Sequence, residues 1–148
     1  GSTLQLIGAD PNERILQLVS VLGIEQSVEF LGHVDDLVSY LQEASVFVLP
    51  SKQEGLGIAG IEAMSCGLPV VSTRCGGPED YVIPDETGLL VPTGDADAMA
   101  DAVVRLLEDD EYRSELGQNA RELVLKAYSE ERVRSELQDV ITRLETAE

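Results

Sequence analysis

Apolar residues along this chain come in short runs, and stretches of helical period separate them. Leu4–Ile7 reads as a buried strand that stops at Gly8. Pro11 suits the first position of a helix after Asp10, because its missing N–H would be unpaired there anyway. Ile15, Leu16, Leu18, Val19 and Leu22 give that helix one apolar face, and Gly23 ends it. Val28–Leu31 is a second strand, closed by Gly32, and Asp36, Leu37, Val38, Tyr40 and Leu41 make a short helix. Val46–Leu49 is a third strand, stopped by Pro50. Ile58–Ser65 is helical, with Gly67 placed to take the left-handed position beyond its end. Val70 and Val71 form a fourth strand after Pro69, and Gly88–Val91 a fifth. Beyond Pro92 the pattern is helical only. Asp95 caps a helix through Leu107, with Met99, Val103, Leu106 and Leu107 on one face. Further helices cover about 111–126 and 129–145.

Short strands that are apolar throughout, alternating with helices, predict an α/β fold. Its parallel sheet would carry helices on both faces, with extra helices at the C-terminus. Such sheets bind ligands beyond the carboxyl ends of their strands, near the switch in strand order. Functional residues are therefore expected in the loops at 8–11, 32–35, 50–57, 72–79 and 92–95.

The 148 residues fit one domain, and 43% apolar content is ordinary for a globular protein. The charge is not ordinary: 28 Asp and Glu against 10 Lys and Arg give −18. Such a surface argues against nucleic acid or an anionic membrane as partner, since both demand a basic face. No apolar run approaches the ~20 residues of a membrane span, and no basic-then-apolar start marks a signal peptide. Cys66 and Cys75 lack metal-type spacing and are too few for a disulfide scaffold. Reduced thiols in a cytoplasmic protein are the expectation.

The most informative stretch is Pro50-Ser51-Lys52-Gln53-Glu54-Gly55-Leu56-Gly57-Ile58-Ala59-Gly60-Ile61-Glu62-Ala63-Met64, which joins the third strand to a helix. Glycines on both sides of Leu56 let backbone approach a ligand closely. The helix after them presents unpaired N–H groups and a positive dipole end, an anion site best suited to phosphate. Glu54 and Glu62, seven residues apart, flank it. An ionised carboxylate only accepts hydrogen bonds, and sugar hydroxyls donate them. A phosphate cradle, carboxylates and a parallel sheet together suggest a nucleotide sugar; a turn Glu54 and a solvated Glu62 are the plain alternative.

This stretch resembles the E-x7-E signature of retaining, nucleotide-sugar-dependent glycosyltransferases of the group 1 type, which have the two-domain GT-B fold. The resemblance extends along nearly the whole chain. It takes in Leu6-Ile7-Gly8-Ala9-Asp10, Val28-Glu29-Phe30-Leu31-Gly32-His33-Val34 and Ala44–Ser51 before the signature. After it come Glu62–Thr73, Gly76-Gly77-Pro78-Glu79 and Thr87-Gly88-Leu89-Leu90-Val91. The resemblance implies a Rossmann-like C-terminal half of a GT-B fold that binds the sugar donor. By position it implies that Glu54 is the catalytic-site carboxylate, contacting donor-sugar hydroxyls as an electrostatic and positioning group and not as a nucleophile. Glu62 would bind the ribose. N–H groups of Gly55, Leu56, Gly57 and Ile58 would meet sugar and diphosphate, and Gly8, His33 and Val34 would lie against the nucleotide. Leu56 stands where the family usually has Phe. No cofactor or divalent metal is implied.

The same resemblance sets further expectations. Gly1-Ser2 reads as an expression-tag remnant, and residues 3–148 as a donor-binding domain without its first strand. The family's diphosphate-binding Arg and Lys belong to that earlier segment, and here no basic residue precedes Arg14. An acceptor-binding N-terminal domain would be a separate partner, any membrane contact would belong to the rest of the enzyme, and the chain alone would be inactive. Asp95-Ala96-Asp97 is expected to cap a helix and not to bind metal. Cys66 is expected packed, Cys75 exposed near the ligand, Lys52 solvated, and Glu79 at the border of the donor pocket. The apolar side of the last helix is expected to be partly exposed. Alternatives of the same fold are a sugar-nucleotide epimerase or a phosphorylase. A non-catalytic regulatory domain would need an aspartate cluster and a late Lys, and only Lys52 and Lys126 occur.

Excess acid with eight Arg and only two Lys is the pattern of proteins from salt-loving organisms, whose self-repulsion salt screens. On this hypothesis the chain is more resistant to thermal unfolding in molar than in low KCl; equal or greater stability in low salt overturns it.

Overall fold

The computed structural model describes residues 1–145. Its elements are β1 (Leu4–Ile7), α1 (Glu13–Leu22), β2 (Val28–Gly32), α2 (Leu37–Glu43), β3 (Phe47–Leu49), α3 (Ile58–Ser65), β4 (Val70–Thr73), β5 (Gly88–Val91), α4 (Ala96–Glu108), α5 (Asp110–Ala127) and α6 (Glu130–Glu145). Contacts divide the chain into two units, Gly1–Leu37 and one that begins at Val38.

In the first unit β1 and β2 pair in parallel, with Leu4 opposite Val28 and Leu6 opposite Phe30, and α1 is the crossover between them. The helix starts later than the Asp10-Pro11 pair suggests. Asn12 is the cap, because its side-chain oxygen accepts the Ile15 N–H at 3.0 Å, and Pro11 therefore lies just outside. All four residues of β1 are exposed and α1 buries none. The expected cover on both faces is absent from this strand, since so short a stretch of chain cannot enclose a core of its own.

The second unit holds a parallel sheet in the order β3-β4-β5. Phe47 faces Val70, and Val70 faces Gly88. The fourth strand runs on past Val71 through Ser72 and Thr73, and every residue of it is buried. Those two hydroxyls can be buried because both are hydrogen-bonded, Ser72 to Thr73 O and Thr73 to Ser51 O. Val71, Leu89, Leu106 and Leu116 form the core, with Val46, Met99, Val103 and Tyr112 packed around it. Each fully buried aliphatic side chain contributes about 1.5–3 kcal/mol, so this cluster holds α4 and the Leu116 turn of α5 to the sheet, while Gly117, Ala120 and Val124 are also buried on α5.

Asp95 caps α4, as expected, accepting the Ala98 N–H at 2.9 Å. Asp109 caps α5 through the Tyr112 N–H at 2.9 Å. Gly67 sits beyond α3 in the left-handed region (φ 86°). On α6, Val133, Leu137, Val140 and Ile141 are exposed. Ion pairs Glu130–Arg134 (2.6 Å) and Arg132–Glu136 (2.8 Å) add to that helix, by about 0.2–0.5 kcal/mol for a pair at this spacing. No described helix is long and apolar enough to cross a membrane.

α5 crosses the end of α3 at one close point. A Cβ on Gly117 would lie 2.2 Å from the Gly67 carbonyl oxygen, a backbone atom that cannot swing aside. Alanine normally favours a helix interior over glycine by ~1 kcal/mol. Here Gly117→Ala is expected to destabilise by about 1–3 kcal/mol, measured as a lower urea midpoint; an unchanged or higher midpoint would show that α5 can back away.

Candidate functional site

The loop from Pro50 to Gly57 leaves the carboxyl end of β3, and the loop from Arg74 to Asp80 leaves that of β4. The two are tied together by backbone. Glu54 N–H donates to Cys75 O at 2.8 Å and Gly77 N–H to Glu54 O at 3.3 Å, making a parallel bridge between Glu54 and Gly76. A Cβ on Gly77 would meet Gly55 O at 1.9 Å, so this approach is open to glycine alone. Thr73 adds a strut, its hydroxyl donating to Ser51 O at 2.5 Å. Ser51 in turn donates its own hydroxyl to the Glu54 carboxylate at 2.6 Å. Glu54 is thus half-buried and held through both backbone and side chain.

Gly57 begins α3 with φ 72°, and no side chain caps the helix. Among the described residues, the N–H groups of Gly55, Leu56, Gly57 and Ile58 donate to no protein acceptor. Leu56 and Ile58 are exposed beside them, at 42% and 63%. Glu62 lies one turn along from Ile58 on the same face. It is exposed, and its carboxylate has no partner among the described residues. Gly60, Ala63 and Met64 form the opposite, buried face.

The predicted residues thus fall into two groups. Glu54, Gly55, Leu56, Gly57, Ile58 and Glu62 gather at the head of α3. Gly8 and the pair His33 and Val34 lie in the first unit, at the carboxyl ends of β1 and β2, where Gly8 N–H donates to Gly32 O at 2.8 Å. His33 is exposed and Val34 half-buried. Glu79 is exposed; it accepts the Gly76 N–H at 3.2 Å and pairs with Arg74 at 3.7 Å. Cys75 corrects the expectation of an exposed thiol: it is buried, in the segment whose backbone pairs with Glu54. Cys66 is half-buried and Lys52 exposed.

Sequence reasoning passed over two residues. Ser51 and Tyr81 both hold the loop, and the available signals were a hydroxyl three residues before Glu54 and a glycine, Gly60, inside a helix. Tyr81 is fully buried and donates its hydroxyl to Gly57 O at 2.7 Å.

This geometry sits within a chain whose residues 3–123 match the family model for glycosyl transferases group 1. The chain belongs to that family. It is 36% identical over 93% of its length to N-acetyl-alpha-D-glucosaminyl L-malate synthase of Bacillus anthracis, and covers 36% of that enzyme. The chain therefore spans about a third of the length of such curated relatives. Sucrose-phosphate synthase of Thermosynechococcus elongatus superposes with TM-score 0.89 at 38% identity, over 99% of this chain and 39% of that one. TarM of S. aureus, solved in complex with UDP, superposes with TM-score 0.85 at 26% identity, over 93% of this chain and 28% of that one. The α/β fold with parallel sheets flanked by helices matches these GT-B glycosyltransferase neighbours.

Burial, with the neighbouring Cys75 and Glu54 charges, pushes the Tyr81 phenol up from 10.0 to about 12. Burial and a hydrogen bond to Asp85 push Tyr112 to about 12 as well. A folded-state value above the unfolded one means that the folded state holds the proton more tightly, so this stability is present below pH 10 and is lost as pH rises toward 12. The unfolding free energy is expected to fall over that window, by up to about 1.4 kcal/mol per pH unit from Tyr81, read as a falling urea midpoint. The fall is expected to be shallower in Tyr81→Phe; identical slopes would remove Tyr81 from the effect.

Proposed function

We propose that residues 3–148 are the donor-binding domain of a glycosyltransferase. It would move a sugar from a nucleotide-diphosphate sugar to an acceptor with retention at the anomeric carbon. The observation that carries this reading is the open row of N–H groups at Gly55–Ile58 beside an anchored Glu54 carboxylate. As the bond to the sugar breaks, negative charge gathers on the leaving diphosphate. Donors already aimed at that charge stabilise it without reorganising, and the positive end of α3 adds to them. The reading needs no divalent metal.

Glu54, turned by Ser51, takes the donor-sugar hydroxyls; Glu62 takes the ribose; His33 and Val34 take the base through backbone atoms, and Gly8 is a further donor-binding residue. The UDP in the TarM structure supports a nucleoside diphosphate as the ligand class. The greater length of the relatives leaves room for an acceptor-binding domain in the whole protein. Two free thiols suit a cytoplasmic location.

Calorimetry of the full-length protein with uridine, guanosine and adenosine diphosphates tests the reading. Glu62→Gln is expected to weaken the nucleotide that binds by ~10-fold or more, the size of a lost hydrogen bond to charge. Glu54→Gln is expected to leave that binding unchanged and to slow transfer by about 10²-fold. NMR of the product's anomeric proton reads retention. Binding of none of the three nucleotides, or variants indistinguishable from the natural protein, would overturn the assignment.

A further inference from the structure

We infer that Tyr81 is a positioning residue for the diphosphate loop, its hydroxyl turning the Gly57–Ile58 peptide so that the Ile58 N–H faces the ligand. This role rests on the donor-binding reading above. The Tyr81 hydroxyl donates to Gly57 O at 2.7 Å, and the same carbonyl accepts the Gly60 N–H at 2.9 Å. No peptide bond among the described residues is cis. In a trans peptide the C=O and N–H point in opposite directions. Pinning the Gly57 carbonyl down onto the phenol therefore directs the Ile58 N–H up and away from it, into the row of open donors.

The surroundings are cut to fit this phenol. A Cβ on Gly60 would lie 2.5 Å from the Tyr81 oxygen and 3.1 Å from its ring. A Cβ on Gly57 would lie 2.8 Å from that oxygen. Glycine is a weak residue inside a helix, so its presence at position 60 is accounted for by the ring beneath it. Tyr81 itself is firmly seated. Its ring stands edge-on to Tyr128, with centroids 6.2 Å apart at 83°. Its carbonyl receives the Thr87 hydroxyl at 2.8 Å, and that hydroxyl accepts the Ile83 N–H at 2.8 Å. Phenylalanine would supply the same packing, so the hydroxyl is the part whose role is the peptide.

Tyr81→Phe in the full-length protein separates packing from positioning. Its Kd for the nucleoside diphosphate that binds, and its donor KM, are expected to rise about fivefold, the fold-change of one lost neutral hydrogen bond. Acceptor KM is expected to stay unchanged, and the Gly60 amide to exchange faster. Gly60→Ala, which drives a methyl into the hydroxyl, is expected to move donor affinity in the same direction. Leu106→Val, which loosens the core away from the loop, is expected to lower the melting temperature while leaving Kd unchanged. Unchanged Kd and donor KM in Tyr81→Phe overturn the positioning role. Loss of donor affinity in Leu106→Val as large as in Tyr81→Phe overturns it too, by making the effect one of stability. If the unmodified protein binds no nucleoside diphosphate, the donor reading fails and this role fails with it.

Discussion

Where β3 and β4 end, two backbones lie against each other with no side chain between them, and the shape of the head of α3 depends on that contact. Glu54-Gly55 rests on Gly76-Gly77 so closely that a methyl group at Gly77 would overlap the Gly55 carbonyl. Hydrogen bonds from both partners lock the pairing. Backbone contacts have no rotamers to sample, so this one holds the loop with little conformational choice. Ser51 extends the order into the Glu54 side chain, and Thr73 extends it back into the buried strand. Beyond this pairing, the N–H groups of Gly55, Leu56, Gly57 and Ile58 donate to no acceptor among the described residues.

That arrangement also bears on a chain with net charge −18. Backbone N–H groups carry partial positive charge without altering the net charge, and they act at contact distance. The repulsion from surface carboxylates is spread over the molecule and is screened over about 8–10 Å at ordinary ionic strength. A short-range cradle of dipoles can therefore receive an anion on an acidic domain. The acidic surface contributes little to stability by the same reasoning. Ion pairs such as Arg105–Asp85 at 2.8 Å are largely exposed, and pairs of that kind contribute about 0–1 kcal/mol. The cluster of Val71, Leu89, Leu106 and Leu116 is the stronger term.

Much of the fold was legible in the order of apolar runs, because a strand buried on both faces must be apolar on both. β4 shows this most plainly, although it continues through Ser72 and Thr73. Their hydroxyls looked like the start of a loop and proved to be satisfied inside the sheet. Asp10 and Asn12 are both good caps, and only the path of the chain chose Asn12. Cys75 looked open beside two glycines, yet those glycines are what brought its carbonyl into contact with Glu54.

The sequence by itself determined that the strands are parallel, and it pointed to the loops at their carboxyl ends, with Glu54, the glycine loop and Glu62 as the candidate parts of a site. These follow from local pattern: apolar period, glycine, proline and the spacing of two carboxylates. Tertiary structure decided what holds those parts. Tyr81 lies 24 residues from Gly57 in the chain and meets it only after β4 and its loop are in place. No local pattern encodes such a contact. Its trace in the sequence is a glycine inside a helix, and what that glycine makes room for is known only when the ring is seen beneath it.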